Sequence, residues 1–232
     1  MNGQPSIQFY SLQEASLARG AVVVIDVLRA FTTAAYAFAN GAQRIFPVGL
    51  MEEAFALKES YPGAALMGEV QGYQPEGFDY SNSPAEISVV DLSGVDLVQR
   101  TSAGTQGIIK SVNASSLMAS SFVVARATAA YLSRINAQEI SFVITGLSEG
   151  RDGEEDRACG EYIAALLRNE QPDPAPFLAR VLASSVGQAF RSGQMDYLSL
   201  KDIQLSLSVN RFDFCMPVVQ EEGRWVIAPE VL

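Results

Sequence analysis

The chain has 232 residues, 48% of them hydrophobic, which suits a folded α/β protein with a large core and argues against disorder. A formal net charge of −10 argues against general nucleic-acid binding, and no apolar run reaches the roughly 20 residues that span a bilayer. There is no histidine, which removes phosphohistidine chemistry, histidine-activated Ser or Cys nucleophiles and histidine-held zinc or iron. Any acid, base or ligand is then a carboxylate, hydroxyl, Lys/Arg, Tyr or Cys, and oxygen-rich ligation favours magnesium.

The N-terminus, MNGQPSIQFY, lacks a basic region followed by an apolar one, so no signal peptide is expected. Cys159 and Cys215 form no metal-ligand pattern and no disulfide framework, so a cytoplasmic protein with reduced thiols is the simplest expectation.

In chain order, residues 6–10 suit a short strand and 12–19 a short helix stopped by Gly20. Residues 22–26 are an apolar, β-branched run that ends in Asp26, as for a strand buried on both faces. Arg29 and the hydroxyl pair Thr32–Thr33 follow, then an alanine-rich helix closed by Asn40–Gly41. Strand, charged corner and helix is an arrangement that places anions beyond the carboxyl ends of strands, against helix N-termini. RIFPV at 44–48 is a further strand, with Pro47 pointing to an edge or an end. Residues 51–60 read as a helix and 64–67 as a strand that stops at Gly68–Glu69, a second strand-end acid.

Residues 70–85 form the longest irregular stretch, with Asp79, Ser81, Asn82 and Ser83 among aromatics; Ser83–Pro84 reads as a helix cap. Residues 95–99 are a strand ending in Arg100 and the run TSAGT, and a helix follows from 107. This repeats the physical type of the first unit. A strand at 118–121, a helix at 123–134, a strong β run at 139–145, a charged turn and a helix at 154–168 come next. The first-turn acids Glu154, Glu155 and Asp156 suit the helix dipole. After the connector QPDPAP, 177–191 reads as one amphipathic helix; 200–207 and 214–219 carry short apolar runs and 224–228 a closing strand. With no Ser/Gly-rich linker, residues 1–232 are expected to form one domain.

Several phosphatase chemistries are excluded. Asp26 is followed by Val27 and Leu28, so the second Asp of a haloacid-dehalogenase site is missing. Six residues past Cys159 and Cys215 stand Ala165 and Glu221, not the arginine of a cysteine phosphatase. Neither a P-loop nor a GxGxxG turn is present.

DVLRAFTT at 26–33, GE at 68–69, GFDYSNSP at 77–84, RTSAGT at 100–105 and GLSEGRDGEEDRACG at 146–160 occur in one order and spacing. In these the chain resembles the 2-phosphosulfolactate phosphatases, the ComB family, from about residue 22 to 160. The resemblance implies a three-layer αβα fold with a mixed, mostly parallel sheet. It implies a magnesium-dependent phosphatase that releases phosphate from 2-phosphosulfolactate to give 3-sulfolactate, a step toward coenzyme M. Asp26, Arg29, Glu69 and Arg100 are the catalytic candidates, and Asp26, Glu69 and Asp156 the candidate metal ligands. Thr33, Asp79, Asn82, Ser83, Gly104 and Thr105 are the candidate substrate-binding residues. The expected partner is a small anionic phosphorylated substrate, with no nucleic acid and no membrane; a homodimer is a candidate assembly.

Three positions depart from the family pattern: Ala103 replaces an asparagine in the turn before Gly104, Val124 an asparagine at a helix start, and Phe31 a small residue. These departures motivate an alternative, a non-catalytic or regulatory anion-binding protein on the same fold. A third reading, a hydrolase acting through Cys159 or Cys215, lacks a histidine to activate the thiol.

Overall fold

The computed structural model describes residues 4–148, 151–193 and 197–232. The first half runs β1 (Ser6–Ser11), β2 (Ala21–Ile25), α1 (Ala30–Ala39), β3 (Arg44–Val48), α2 (Met51–Ser60), β4 (Ala65–Gly68), β5 (Tyr80–Ser81) and α3 (Pro84–Ile87). Then come β6 (Asp96–Arg100), α4 (Gly104–Lys110), β7 (Ser116–Ser120), α5 (Ala125–Arg134), β8 (Glu139–Ile144) and the hairpin β9 (Leu147–Ser148) and β10 (Arg151–Asp152). The remainder is α6 (Glu154–Leu167), α7 (Ala175–Ala183), α8 (Ser185–Ser192), α9 (Leu200–Ser206), β11 (Phe214–Glu221), β12 (Arg224–Ile227) and β13 (Glu230–Val231). Among the described residues no helix is long and apolar enough to cross a membrane.

The main sheet has the order β1-β8-β2-β7-β11-β12-β3-β6-β4-β5, with β13 paired to β11. Two parallel sets, β1-β8-β2-β7 and β3-β6-β4-β5, are joined by the antiparallel β11–β12 hairpin. Alternate residues of each strand enter different cores, as the two-residue period of a strand requires. Val22 and Val24 of β2, Ile45 of β3, Met67 of β4 and Leu97 of β6 share one core with α1 and α4. Val23, Ile25 and Phe142 pack on the other side against α5 and α6, and Phe46, Leu66 and Val98 against α2. Helices therefore cover both faces of a mixed, mostly parallel sheet, the three-layer α/β arrangement.

Three antiparallel steps separate the parallel sets, so a flat sheet would put their carboxyl ends on opposite edges. The sheet instead curls around α1 and α4. A Cβ on Gly107 of α4 would lie only 2.5 Å from Val24 Cγ1 of β2, so the helix that follows β6 rests directly on the other set. Gln99 at the end of β6 donates its Nε2 to the Ala30 carbonyl at the start of α1, at 3.0 Å. The curl brings the ends of β2, β4 and β6 to one rim.

Several expectations need correction. Residues 12–19 form only a 3₁₀ turn, Ala15–Leu17. The apolar positions Leu12, Ala15 and Ala18 are buried at a spacing of three, the period of a 3₁₀ turn rather than of an α-helix. Of the two positions that Pro47 allowed, an edge or an end, the structure gives the end: β3 lies inside the sheet, Pro47 is its next-to-last residue, and β12 pairs with β3 only at Ile45. The single helix expected over 177–191 is two, α7 and α8, broken where Ser184 turns extended and its Oγ accepts the Gly187 N–H at 3.0 Å. The apolar run at 200–207 is helix α9, capped by Ser199. The strand expected to close the chain, β12, is interior and joins the two sets. The helix after Arg100 starts earlier than expected, at Gly104.

Candidate functional site

Where β2 meets α1, the Asp26 carboxylate turns back on the helix start: Oδ1 accepts the Ala30 N–H at 2.9 Å. Thr32 and Thr33 spend their hydroxyls on the carbonyls of Val27 and Arg29, at 2.8 and 3.0 Å, and both are fully buried. They stiffen the corner and do not face the cleft. Arg29 reaches across to the C-terminal third, where Nη1 donates to Asp202 Oδ2 at 2.9 Å and to the Tyr197 carbonyl at 3.0 Å. The Phe190 ring lies 5.5 Å from the guanidinium carbon.

At the end of β4, Glu69 Oε1 accepts the Ser102 N–H at 2.5 Å, and Oε2 accepts the Gly72 N–H at 2.6 Å and the Ser102 hydroxyl at 3.1 Å. Arg100 at the end of β6 donates Nη1 to the Glu69 carbonyl at 3.0 Å, and its buried Nε has no partner among the described residues. Thr105 is locked to Thr101: its N–H donates to Thr101 Oγ1 at 3.0 Å and its Oγ1 accepts the Thr101 N–H at 2.9 Å.

Asp156, in the first turn of α6, points inward. Oδ1 accepts the Val27 N–H at 2.8 Å and Oδ2 the Gly146 N–H at 2.7 Å. The Thr145 hydroxyl lies 3.2 Å from Asp156 Oδ2 and 3.1 Å from Asp26 Oδ2, linking the two acids. Burial pushes both carboxyls up from the usual range, Asp156 furthest because the charges of Glu155 and Asp26 add to it. Backbone N–H donors oppose the rise at each.

These groups border a cleft of about 470 Å³ lined by Asp26, Arg29, Glu69, Asn82, Ser102 and Arg151, with Leu28, Val186 and Phe190 as apolar wall. Asn82 keeps a buried Oδ1, and Arg151 a buried Nε, without a partner among the described residues. Gly104 stands directly behind Asp26. The other candidates lie off the cleft. Asp79 pairs with Lys58 at 2.5 Å and accepts the Leu66 N–H at 2.7 Å, Ser83 donates to Asp202 at 2.6 Å, and Arg100, Thr33, Thr105 and Asp156 support the lining from behind. Of the departures, Ala103 lines the cleft, whereas Phe31 and Val124 are core.

Sequence reasoning missed Arg151, Phe190 and Asp202. Arg151 lay inside the quoted 146–160 block but read only as part of a charged turn. Asp202 lay in a stretch with no motif signal. Among the described residues no three of Asp, Glu, Cys or His cluster so as to hold a metal ion.

The family model described as 2-phosphosulpholactate phosphatase matches residues 8–220. A relative from Bacillus subtilis (strain 168), "Probable 2-phosphosulfolactate phosphatase", is 34% identical over 86% of this chain and 87% of its own. One of the same name from Carboxydothermus hydrogenoformans is 34% identical over 89% of this chain and 90% of its own. A third, from Thermotoga maritima, is 36% identical over 70% and 69%.

Proposed function

The chain belongs to the 2-phosphosulfolactate phosphatase family, and from that membership we propose that it hydrolyses 2-phosphosulfolactate to 3-sulfolactate and phosphate. The observation that carries the reading is one cleft holding two carboxylates, Asp26 and Glu69, beside two guanidinium groups, Arg29 and Arg151. The substrate carries phosphate, carboxylate and sulfonate groups, and planar guanidinium forks suit all three.

In the reaction a water oxygen forms a new bond to phosphorus, the bond from phosphorus to the C2 oxygen breaks, and that oxygen takes up a proton. Arg29 binds substrate oxygens with the nitrogens not spent on Asp202 and Tyr197, and Arg151 adds a second positive group on the β10 side. Asn82 offers its amide from the loop after β5, and the Phe190 wall keeps water from the arginine–anion contacts. The Thr145 hydroxyl lies 2.9 Å from the Ile25 carbonyl, 3.1 Å from Asp26 Oδ2 and 3.2 Å from Asp156 Oδ2, so its one hydrogen is shared among three acceptors and the two acids are held beside each other. Of the two acids, Asp26 is the one that lines the cleft.

The donor chemistry suits magnesium, which takes one or two carboxylates and fills its shell with water and phosphate oxygens rather than an all-protein cage. Asp26 and Glu69, which line the cleft, would hold it; Asp156 lies behind the lining. When bound, the ion neutralises phosphate charge.

The test is phosphate release from 2-phosphosulfolactate by the purified chain, with magnesium and with chelator. Equal amounts of phosphate and 3-sulfolactate, formed only with magnesium, are expected. No turnover in either condition refutes the substrate assignment. Thermal stabilisation by phosphate without any turnover would instead favour the anion-binding alternative that Ala103 in the cleft lining suggests.

A further inference from the structure

Asp202, on α9, is fully buried and lies more than a hundred residues from every motif group it touches. Its carboxylate is the meeting point of three donors. Oδ2 accepts Arg29 Nη1 at 2.9 Å; Oδ1 accepts the Ser83 hydroxyl at 2.6 Å and the Ala85 N–H at 3.0 Å. Arg29 and Asn82, the neighbour of Ser83, both line the cleft. One acid in the C-terminal third thus ties together the corner after β2 and the loop before α3.

We propose that Asp202 is the positioning residue for Arg29, fixing the guanidinium at the angle and depth at which it receives the substrate anion; this rests on the phosphatase reading above. An arginine on a long side chain has many rotamers, and a buried charged acceptor leaves it few. The Tyr197 carbonyl on the same Nη1 and the Phe190 ring complete the clamp. The role needs an acceptor-only side chain. Asparagine at 202 would turn an NH₂ toward either Arg29 or the Ala85 N–H, so one side of the tie must break whichever way the amide lies.

The test uses the full chain as wild type, Arg29→Ala, Asp202→Asn and the double variant, measuring turnover of 2-phosphosulfolactate and binding of inorganic phosphate. Asp202→Asn should raise KM about tenfold, with kcat within about threefold of wild type, and weaken phosphate binding by a like factor. In the Arg29→Ala background the same change should add nothing to either loss, because the acid acts through that arginine. Equal losses in both backgrounds, or a fall in kcat with KM unmoved, overturn the proposal. If Asp202→Asn does not fold, Ser83→Ala, which removes only one donor to Oδ1, should raise KM in the same direction by a smaller factor; an unmoved KM overturns the proposal. A wild-type chain that releases no phosphate defeats the substrate assignment alone, since the phosphate-binding cycle still decides the role of Asp202.

Discussion

Gly104 leaves room for Asp26: a Cβ on the glycine would sit 2.9 Å from Asp26 Oδ2 and 2.6 Å from the Ala30 Cβ. The glycine opens α4, after β6, and the aspartate ends β2, so this approach is where the two parallel sets of the sheet meet at the cleft.

Gly104→Ala should therefore push the β2 corner away from its position. A displacement of an ångström at a reacting centre costs on the order of 100-fold in rate, and an overpacked contact costs about 1–3 kcal/mol of stability. Steady-state kinetics and denaturant unfolding check both. Gly63→Ala, with nothing within 4 Å of the added carbon, should leave both unchanged.

Glu69 holds the turn after β6 through the Ser102 N–H and hydroxyl, and its own loop after β4 through the Gly72 N–H. Glu69→Gln puts an NH₂ against one of these, at a cost of about 1–3 kcal/mol for the buried donor left unpaired. Activity should fall with it, because the turn carries Ser102 and Ala103 of the cleft lining. Ser102→Ala, which keeps the backbone donor, should be milder. Urea midpoints at constant m decide between the two.

Both strand-end acids at the cleft were legible in the sequence, because an apolar run stopping at a carboxylate is a local signal. So was the capping role of Ser83–Pro84, since proline at the first helical position has a local cause. Which motif residues face the cleft was not legible. Asp79 and Thr105 stand in the quoted motifs, yet their side chains are spent on Lys58 and Leu66, and on Thr101. Motif membership does not distinguish a group that meets the ligand from one that holds the loop. Asp202 was invisible because its meaning is its three distant partners, whereas Pro47 marked the end of its strand, where the neighbouring ladder has already stopped.

Burial is the largest cause raising the carboxyls of Asp26, Asp156 and Glu155. A folded-state pKa above the unfolded value means that the native chain binds the extra proton. The stability these groups contribute is therefore complete below the ordinary carboxyl range near pH 4 and is lost as pH rises through the raised values. Unfolding free energy, measured in chelator, should fall as pH rises from the ordinary carboxyl range toward neutral, and Asp156→Asn should flatten that fall. A wild-type profile that rises across this range contradicts the assignment.

Cys159 and Cys215 are both fully buried, and burial pushes the thiols up, Cys215 to about 11. Neither is then a thiolate nucleophile near neutral pH. Alkylation of the native protein should leave turnover intact, and the Cys159→Ala, Cys215→Ala double variant should keep kcat/KM within about threefold. A large loss in a variant that folds would restore the cysteine-hydrolase reading.

The convergence of the ends of β2, β4 and β6 on one cleft is tested most directly by a crystal structure with magnesium and 3-sulfolactate. The expected density places the cation on Asp26 and Glu69 and the organic anion against Arg29 and Arg151. Cation and anion bound together elsewhere on the molecule, with this cleft holding only water, would contradict the account.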